Sequence, residues 1–299
     1  MESFLQQLIN GISLGSIYAL VALGYTMVYG VLRLINFAHG DVYMLGAYFG
    51  YYFSRLLQGR TPGHLLDAAA VMLLSMAACA LCGLLMERFA YRPVRRASRL
   101  TMLIIAIGLS LLIENAGQLI FGATPRFFPQ LVPESHFRLG GLMVTNQQAI
   151  VLATALALML LLNLFIYRSR TGKAMRAVSF NLDAAKLMGI DTDRIIALTF
   201  ALGSSLAAAA GILVSINIPG IDPLMGVMTG LKAFVAAVLG GIGNIFGAVL
   251  GGFILGLAEV MVAGYGSSTY RDAIAFLILI AILLFKPAGI LGKGQVEKV

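Results

Sequence analysis

The chain has 299 residues, of which 60% are hydrophobic and only 11% charged, and its mean hydropathy is +0.92. Soluble domains are about 45–50% apolar and about 25% charged, so this composition excludes a soluble globular protein and indicates a protein with several membrane spans. The net charge of +8 comes from basic residues that cluster between apolar runs. That placement favours cytoplasmic loops at a membrane over a surface that binds nucleic acid.

A helix that crosses the bilayer core of about 30 Å needs about 20 apolar residues. The apolar runs are about twice as long as a barrel strand, so helices must satisfy the backbone in lipid and the fold class is all-α. The sequence predicts one transmembrane domain over 1–299, a polytopic bundle of eight to nine spans. The predicted spans are 8–32, 37–57, 65–86, 100–121, 147–167, 194–217, 226–243, 245–262 and 270–286.

Run 226–243 is the exception in this pattern, because it is rich in glycine and carries Lys232. A re-entrant hairpin is therefore the alternative to a full span. A hairpin would place the lysine-bearing C-terminus on the same side as the basic-poor loops, against the charge bias. The distribution of charge therefore favours a span.

The basic residues also predict the orientation of the chain. They concentrate at 88–99, at 168–194 and after 286. Because cytoplasmic loops carry an excess of Lys and Arg, these regions are expected in the cytoplasm, with the N-terminus outside and the C-terminus inside. Residues 1–3 include no basic segment or cleavage site, so the first run is expected to remain a helix of an inner or plasma membrane protein.

A polar group interrupts the apolar sequence between the first two runs, at Asn36, His39 and Asp41. In one interpretation Asn36 or Asp41 caps the second helix and His39 is hydrated. In the other, the helix is broken here, and its freed backbone groups and carboxylate contact a polar solute. Polar residues at membrane depth are costly, so these three are candidate substrate-pathway residues.

A second stretch, 216–226, repeats part of this pattern with Asn217, Asp222 and Met225 at the same spacing as Asn36, Asp41 and Met44. On the predicted topology the first copy follows an inward-running helix and the second an outward-running one. That relation is typical of an inverted repeat with a transport pathway at its interface. Chance matching in a glycine-rich protein is the alternative. Asn217 and Asp222 are the remaining candidate pathway residues.

Three further charged residues lie within predicted spans: Glu114, Lys232 and Glu259. A structural ion pair or a hydrogen-bonded carboxyl group is one explanation, and lining of the pathway is the other. In a proton-driven carrier these carboxylates would be the candidates for the proton relay. Glycines at four-residue spacing, such as Gly11/Gly15 and Gly252/Gly256, predict close helix packing, either within the subunit or at a dimer interface.

Motifs for catalysis or for binding a cofactor are not found in the sequence. Gly172-Lys173 lacks the upstream glycine of a phosphate loop and is followed by Ala174, so we expect no ATP hydrolysis by this chain. Cys79 and Cys82 lie inside a predicted span without a second ligand pair, which favours small buried residues over a metal site. We expect no catalytic residue, no metal and no cofactor.

The polar loop 168–194 is long and patterned. Asn181 or Asp183 can cap a short helix through Ala184 and Ala185 that Gly189 would end. Small alanines beside an apolar Leu187-Met188 pair are typical of a helix that docks into a partner's groove. A solvated connector is the alternative, although the loop is longer than most connections.

Several motifs along the whole chain resemble one family. They are INFAHGDVYMLG at 35–46, ERFAYRPVRR at 87–96, RTGKAMRAVSFNLDAAKLMGIDTDR at 170–194, LKAFVAAVLGGIGNIFGA at 231–248 and KPAGILG at 286–292. The chain is similar to the LivH-type permeases of high-affinity branched-chain amino acid ABC importers. Asp183-Ala184-Ala185-x-x-x-Gly189 alone is a loose match, because many ABC permeases have Glu at its first position.

The resemblance implies a heteromeric importer of leucine, isoleucine or valine. Its expected partners are a second related permease, two cytoplasmic ATP-binding subunits, a periplasmic substrate-binding protein and the lipid bilayer, with no nucleic acid. The expected ATPase-coupling residues are Arg176, Asp183, Ala184, Ala185 and Gly189. An ABC permease for urea, amides or sugars is the alternative within the class, and an ion-coupled secondary carrier is the alternative outside it.

Overall fold

The computed structural model describes residues 2–57, 65–95, 97–139 and 141–292. Helices dominate these ranges. A π-helical segment, Glu87–Tyr91, joins α3 to α4, and a 3₁₀ turn, Ser268–Tyr270, leads into the last helix. The helices are α1 (Glu2–Leu32), α2 (His39–Leu57), α3 (Leu65–Met86), α4 (Arg92–Val94), α5 (Arg99–Phe121), α6 (Asn146–Arg168), α7 (Arg170–Phe180), α8 (Leu182–Leu187), α9 (Thr192–Asn217), α10 (Met225–Gly240), α11 (Ile245–Tyr265) and α12 (Arg271–Phe285).

Four short strands, which the sequence analysis did not predict, lie in the connections around the helix ends. β1 (Arg126–Phe127) pairs antiparallel with β4 (Gly220–Ile221). β2 (His136–Leu139) and β3 (Leu142–Thr145) form a hairpin. The β1–β4 pair ties the α5–α6 connection to the segment between α9 and α10, whereas the hairpin lies within the α5–α6 connection.

The polytopic helical bundle predicted from the sequence is confirmed. Within the described ranges, seven helical segments are long and apolar enough to cross a membrane, and they contain α1, α3, α5, α6, α9, α11 and α12. The other two predicted spans correspond to α2 and to α10, which has only 16 residues. The number of complete crossings therefore remains a prediction.

Helix α1 occupies the centre of the bundle and packs against α11, α9, α10 and α6. Its residues 15–28 are almost all buried on every face, as expected for a helix that is apolar all round. By contrast α5 and α12 lie at the periphery and expose large apolar side chains such as Leu119 and Leu284. Their exposed faces are suited to lipid or to another membrane subunit.

Glycines allow the central helices to approach to backbone contact. A Cβ at Gly15 would lie 2.8 Å from the Cα atom of Phe253, and Gly256 packs against the backbone of Gly15. Gly11 contacts the same helix at Leu257. The four-residue glycine spacing in α1 and α11 thus serves packing within this subunit, one of the two alternatives open from the sequence.

The segment after α12 folds back onto the end of α10. The backbone N–H of Ile290 donates to the carbonyl of Leu239 at 2.8 Å, and that of Leu291 donates to Gly240 at 3.0 Å. These bonds satisfy carbonyl groups that a helix end leaves without intrahelical partners. Of the basic residues in the regions 88–99 and after 286, Arg96, Lys293 and Lys298 lie outside the described residues, as does Arg60 in the α2–α3 connection.

Candidate functional site

The predicted polar break between α1 and α2 lies inside the bundle. Residues 33–38 turn back so that His39 begins α2 against Gly24, which lies eight residues, or about 12 Å, before the end of α1. Asn36, His39 and Asp41 are only 1–2% exposed. The structure therefore places the first three candidate pathway residues in a buried turn between α1 and α2, so His39 is not exposed as the first interpretation assumed, and contact with a solute stays a prediction.

Each of the three polar side chains has a different environment. The Tyr91 hydroxyl donates to Asn36 Oδ1 at 2.6 Å, and the Ser110 hydroxyl donates to Asp41 Oδ2 at 2.5 Å. His39 packs edge-on against the Tyr25 ring, with 4.7 Å between centroids, and its Nε2 atom has no hydrogen-bond partner among the described residues. Asn36 and Asp41 thus hold neighbouring helices, whereas His39 retains an unused ring nitrogen.

Asp41 is connected to the surface of the subunit through α5. The Ser110 hydroxyl, which donates to Asp41, lies 3.3 Å from Glu114 Oε1 on the next turn of α5. Glu114 is half-buried on this peripheral helix. Asp41, Ser110 and Glu114 therefore form a chain of polar contacts that begins in the first turn of α2. Sequence spacing could not reveal this connection.

The first turns of α2 and α10 cross in direct backbone contact. A Cβ at Gly40 would lie 2.5 Å from the carbonyl oxygen of Gly226, and one at Gly230 would lie 2.8 Å from the Cα atom of Gly40. Only glycine permits this approach, because any side chain would displace one of the two helices. The crossing thus packs the start of α10 against the start of α2.

The second pair of candidate residues is not joined to the first. Asn217 is the last residue of α9, and Asp222 Oδ1 accepts a hydrogen bond from the backbone of Leu224 at 2.8 Å, just before α10 begins. In the described part of the chain, no side-chain hydrogen bond links Asn217 or Asp222 to Asn36, His39 or Asp41. Asp41 lies within the first turn of α2 whereas Asp222 precedes α10, so the inverted repeat stays a prediction.

A second buried polar network, whose partners the sequence analysis missed, surrounds Glu259. Lys232 Nζ lies 2.8 Å from Glu259 Oε1 and 2.6 Å from Asp272 Oδ1, and Arg271 Nε also contacts Glu259. The Tyr18 hydroxyl donates to Glu259 Oε2 at 2.7 Å. Glu259 is fully buried, so its charge is balanced by cations from two other helices. The network supports the structural explanation of Lys232 and Glu259.

The 168–194 loop contains two helices with well-defined caps. Ser169 caps α7, and Asn181 Oδ1 accepts from the backbone of Ala184 at 2.9 Å to cap α8. Gly189 ends α8 with a φ angle of +81°, a left-handed conformation that glycine adopts without strain. Of the two predicted caps, Asn181 is the one used.

The α7–α8 segment, residues 169–191, exposes large apolar side chains. Phe180, Leu187 and Met188 are 87%, 89% and 82% exposed. Asp183 and Ala184 are also exposed, whereas Ala185 is only 4% exposed and packs into the core. The predicted docking face is therefore formed by Ala184 with the apolar pair and Phe180, and Ala185 anchors it from beneath.

Arg176 lies on the inner side of this segment. Its guanidinium group donates to the carbonyl of Ile166 and stacks on the Tyr167 ring at 5.1 Å from the centroid. Gly172 packs closely against the carbonyl groups at the end of α6. The structure thus places Arg176 where it fixes α7 to α6, rather than at the exposed face.

An ion-pair cluster fixes the other end of the segment. Arg95 contacts Glu87 in the π-helical segment and lies 2.6 Å from Asp193 Oδ1, and Arg92 also contacts Asp193. Asp193 lies in the first turn of α9, directly after the α7–α8 segment. The segment is consequently held by α6 at one end and by the α3–α9 contact at the other.

Comparison with known proteins agrees with these features. The profile of the family described as branched-chain amino acid transport system / permease component matches residues 7–283. The chain is 46% identical over 302 residues to the high-affinity branched-chain amino acid transport system permease protein LivH of Escherichia coli K12, an alignment that covers 99% of this chain and 98% of LivH. It is 44% identical over 305 residues to the corresponding protein BraD of Pseudomonas aeruginosa, with the same coverage. With its apolar helices and the buried polar turn between α1 and α2, this chain is a multi-pass inner membrane protein that belongs to the family of branched-chain amino acid transport system permease components.

Proposed function

We propose that this chain is the permease subunit of an ATP-driven importer that moves leucine, isoleucine and valine into the cytoplasm. The observation that carries the proposal is the α7–α8 segment, which exposes Phe180, Leu187 and Met188 on a rigid support. The names of the full-length relatives supply the substrate class. In this proposal the chain provides the transport pathway and the α7–α8 segment that contacts the ATP-binding subunits, and those separate subunits hydrolyse ATP.

The proposed assembly contains this permease, a second related permease, two cytoplasmic ATP-binding subunits and a periplasmic substrate-binding protein. An exposed apolar cluster beside a small residue, Ala184, suits insertion into a groove of an ATP-binding subunit. Large exposed apolar side chains in a polar segment mark interaction sites. In this proposal the segment faces the cytoplasm, with the C-terminus in the cytoplasm and the N-terminus outside.

The geometry suggests how displacement of α8 would reach the pathway. α8 joins α9 through the Gly189 turn, where the backbone N–H of Ile190 donates to the carbonyl of Ala185 at 3.0 Å. α9 in turn packs against α2, with Gly211 against the backbone of Tyr43 and Gly46 against Ala208. A rigid shift of α8 would thus move α9, and α9 would move the helix that begins at the polar break.

In this mechanism Asn36, His39, Asp41, Asn217 and Asp222 are the proposed pathway residues. His39 is the best placed to change partners, because its Nε2 atom is buried without one. Asp183, Ala184 and Gly189 are proposed to act at the ATPase contact, and Ala185 and Arg176 to act as positioning residues beneath it. Each of these roles is open to alanine substitution with uptake and assembly measured separately.

The test changes residues of the α7–α8 segment and leaves the membrane-spanning helices unchanged. We expect Gly189→Val, which forces a β-branched residue to a positive φ, and Ala184→Trp to abolish leucine uptake in cells while the permease remains inserted in the membrane. Lys186→Ala, an exposed neighbour, is the control and should transport normally. Normal uptake with both Gly189→Val and Ala184→Trp would contradict the proposal. Recovery of the parent chain from the membrane without any ATP-binding subunit would also contradict it.

The proposed orientation has its own test. Replacing Cys79 and Cys82, both free thiols, with alanine gives a background for a single Leu187→Cys substitution on the exposed face. In cells that express the chain without ATP-binding subunits, so that this face is uncovered, a membrane-impermeant maleimide should label the cysteine in inside-out vesicles and leave it unmodified in intact cells. Labelling of this cysteine in intact cells would show that the orientation is opposite to the proposed one, and the α7–α8 segment could then not contact cytoplasmic subunits.

A further inference from the structure

A cavity lies where the chain between β1 and β2 arches over the ends of α6 and α9. Its volume is about 320 Å³. The floor is formed by the last turn of α9, at Ser215, Ile216 and Asn217, and one side is formed by Gln147 at the start of α6. On the proposed orientation this cavity faces the outside, at the opposite end of α9 from the α7–α8 segment.

The first end of the arch, residues 128–135, is fixed by backbone hydrogen bonds. Strand β1 pairs with β4, which aligns Phe127 with Gly220. The backbone N–H of Phe128 then donates to the carbonyl of Pro219 at 2.7 Å. The arch therefore starts from a strand pair that also belongs to the α9–α10 connection.

The second end of the arch is held by Asn146, the first residue of α6. Its backbone N–H donates to the carbonyl of Ser135 at 3.0 Å, and its side chain accepts from the Ser135 N–H at 3.0 Å. The same amide donates to the carbonyl of Pro133 at 2.6 Å. With both ends fixed, the cavity is formed before any ligand arrives, as is usual for small-molecule sites.

The lining combines an apolar wall with a polar edge. Phe128, Leu131 and Ile216 are buried and form the wall, and the exposed Phe127 extends it outward. Glu134, Gln147 and Asn217 provide one carboxylate and two amide groups on the same cavity. Glu134 lies at the rim, with Oε1 at 3.8 Å from His136 Nε2, and is partly exposed.

The volume decides what kind of ligand can enter. Small-molecule pockets measure about 300–1,000 Å³, so a cavity of 320 Å³ accommodates one small solute. Apolar walls with a few convergent polar groups are typical of sites that bind small molecules rather than protein surfaces.

We propose that this cavity binds one zwitterionic amino acid with an apolar side chain at the outer mouth of the permease. The aromatic and aliphatic wall would take the hydrocarbon side chain, Glu134 the ammonium group, and the amides of Gln147 and Asn217 the carboxylate. This site rests on the proposed function for its substrate class. It also gives Asn217 a specific role, that of a ligand contact at the entrance rather than deep in the pathway.

The experiment uses the complete transporter, purified with its partner subunits and illuminated with a diazirine analogue of leucine. Photolabel should be found in peptides covering 127–134 or 215–219, and excess leucine should suppress it. The double variant Gln147→Leu/Asn217→Leu should reduce labelling about tenfold, because it removes two hydrogen bonds to a charged group. Asn115→Leu is the matched control, since that amide donates to the carbonyl of Leu111 in its own helix and lies away from the cavity.

A second variant guards against loss of folding. Phe127 is 83% exposed, so Phe127→Ala should fold normally and still weaken labelling several-fold through loss of the outer wall. Label found only elsewhere, or label in these peptides that leucine does not suppress, would overturn the inference. If the parent complex takes up leucine but the cavity is not labelled, this site alone is wrong. If the complex does not take up leucine at all, the proposed function fails.

Discussion

The α2–α10 crossing and the α7–α8 segment distribute polar and apolar groups in opposite ways. At the crossing, Asn36, His39 and Asp41 are buried among apolar helices that touch through glycine. In the α7–α8 segment, Leu187 and Met188 are exposed at the end of α8. The polar groups at the crossing find most of their partners within this chain, whereas the segment has an apolar face that the described residues do not cover.

The difference indicates where each region obtains its stability. Buried polar groups cost free energy unless they find partners, and the crossing finds most of its partners inside the subunit. Exposed large apolar groups gain free energy only when another surface covers them. Substitutions at the crossing should therefore change the stability of the isolated chain, and substitutions in the segment should change its assembly.

The largest effect is expected at the glycine contact between α10 and α11. A Cβ at Gly240 would overlap the backbone carbonyl of Gly247, so Gly240→Val forces the helices apart. We expect loss of the monodisperse protein in detergent, because overpacking against a rigid backbone destabilises the fold by at least about 1–3 kcal/mol. Gly108→Val, at a glycine with no atom within 4 Å of its Cβ position, should elute as the parent does. Equal behaviour of the two variants would contradict this packing.

The buried ion network should give the next largest effect. Lys232→Met leaves fully buried Glu259 with less positive charge around it, and removal of one partner of a buried pair costs about 3–5 kcal/mol. Thermal unfolding in detergent should show a clear decrease in Tm. The double variant Lys232→Met/Glu259→Gln should recover much of the loss, because the charges remain balanced. Lys173→Met, at an exposed lysine, is the control.

A smaller and local effect is expected at the cap of α8. Asn181→Ala removes the hydrogen bond to the Ala184 N–H, a change that costs about 1 kcal/mol at a helix N-terminus. Hydrogen exchange of the backbone amides in α8 should become roughly fivefold faster, with no change in the bundle. Asn181→Ser retains a capping oxygen and should restore slow exchange. Faster exchange in α1 or α9 would show that the segment is not a separate unit.

The smallest effect on stability, and the sharpest contrast, is expected at the exposed apolar pair. Leu187→Ser/Met188→Ser should leave the Tm of the isolated chain unchanged, because both side chains are already more than 80% exposed. The same double variant should weaken the recovery of ATP-binding subunits about tenfold or more, through loss of buried apolar contacts. A lower Tm with normal recovery of the ATP-binding subunits would contradict the account, because the segment would then contribute to stability and not to assembly.

The sequence predicted features that depend on local chemistry. Apolar length predicted the helical spans, and the asparagine and glycine of the 168–194 loop predicted the start and end of α8. It also identified Asn36, His39 and Asp41 as a polar break at membrane depth. These features depend on residues close together in the chain, where periodicity and capping are informative.

Contacts between distant segments could not be predicted in the same way. The Tyr18–Glu259 hydrogen bond spans 241 positions, and the pairing of β1 with β4 joins segments on either side of four helices. Arg176 was among the expected ATPase-coupling residues, and sequence spacing could not show that its guanidinium group packs inward on Tyr167. Sequence spacing defines a face of a helix, and only packing shows what that face meets.

Transport by the purified chain in proteoliposomes tests the central claim most directly. Vesicles that contain this permease alone should take up no leucine above the rate of protein-free vesicles, with or without internal ATP or an ion gradient. Vesicles that contain the complete assembly, the substrate-binding protein and ATP should accumulate leucine. Leucine uptake by the chain alone would contradict the account, because the permease would then need no external motor.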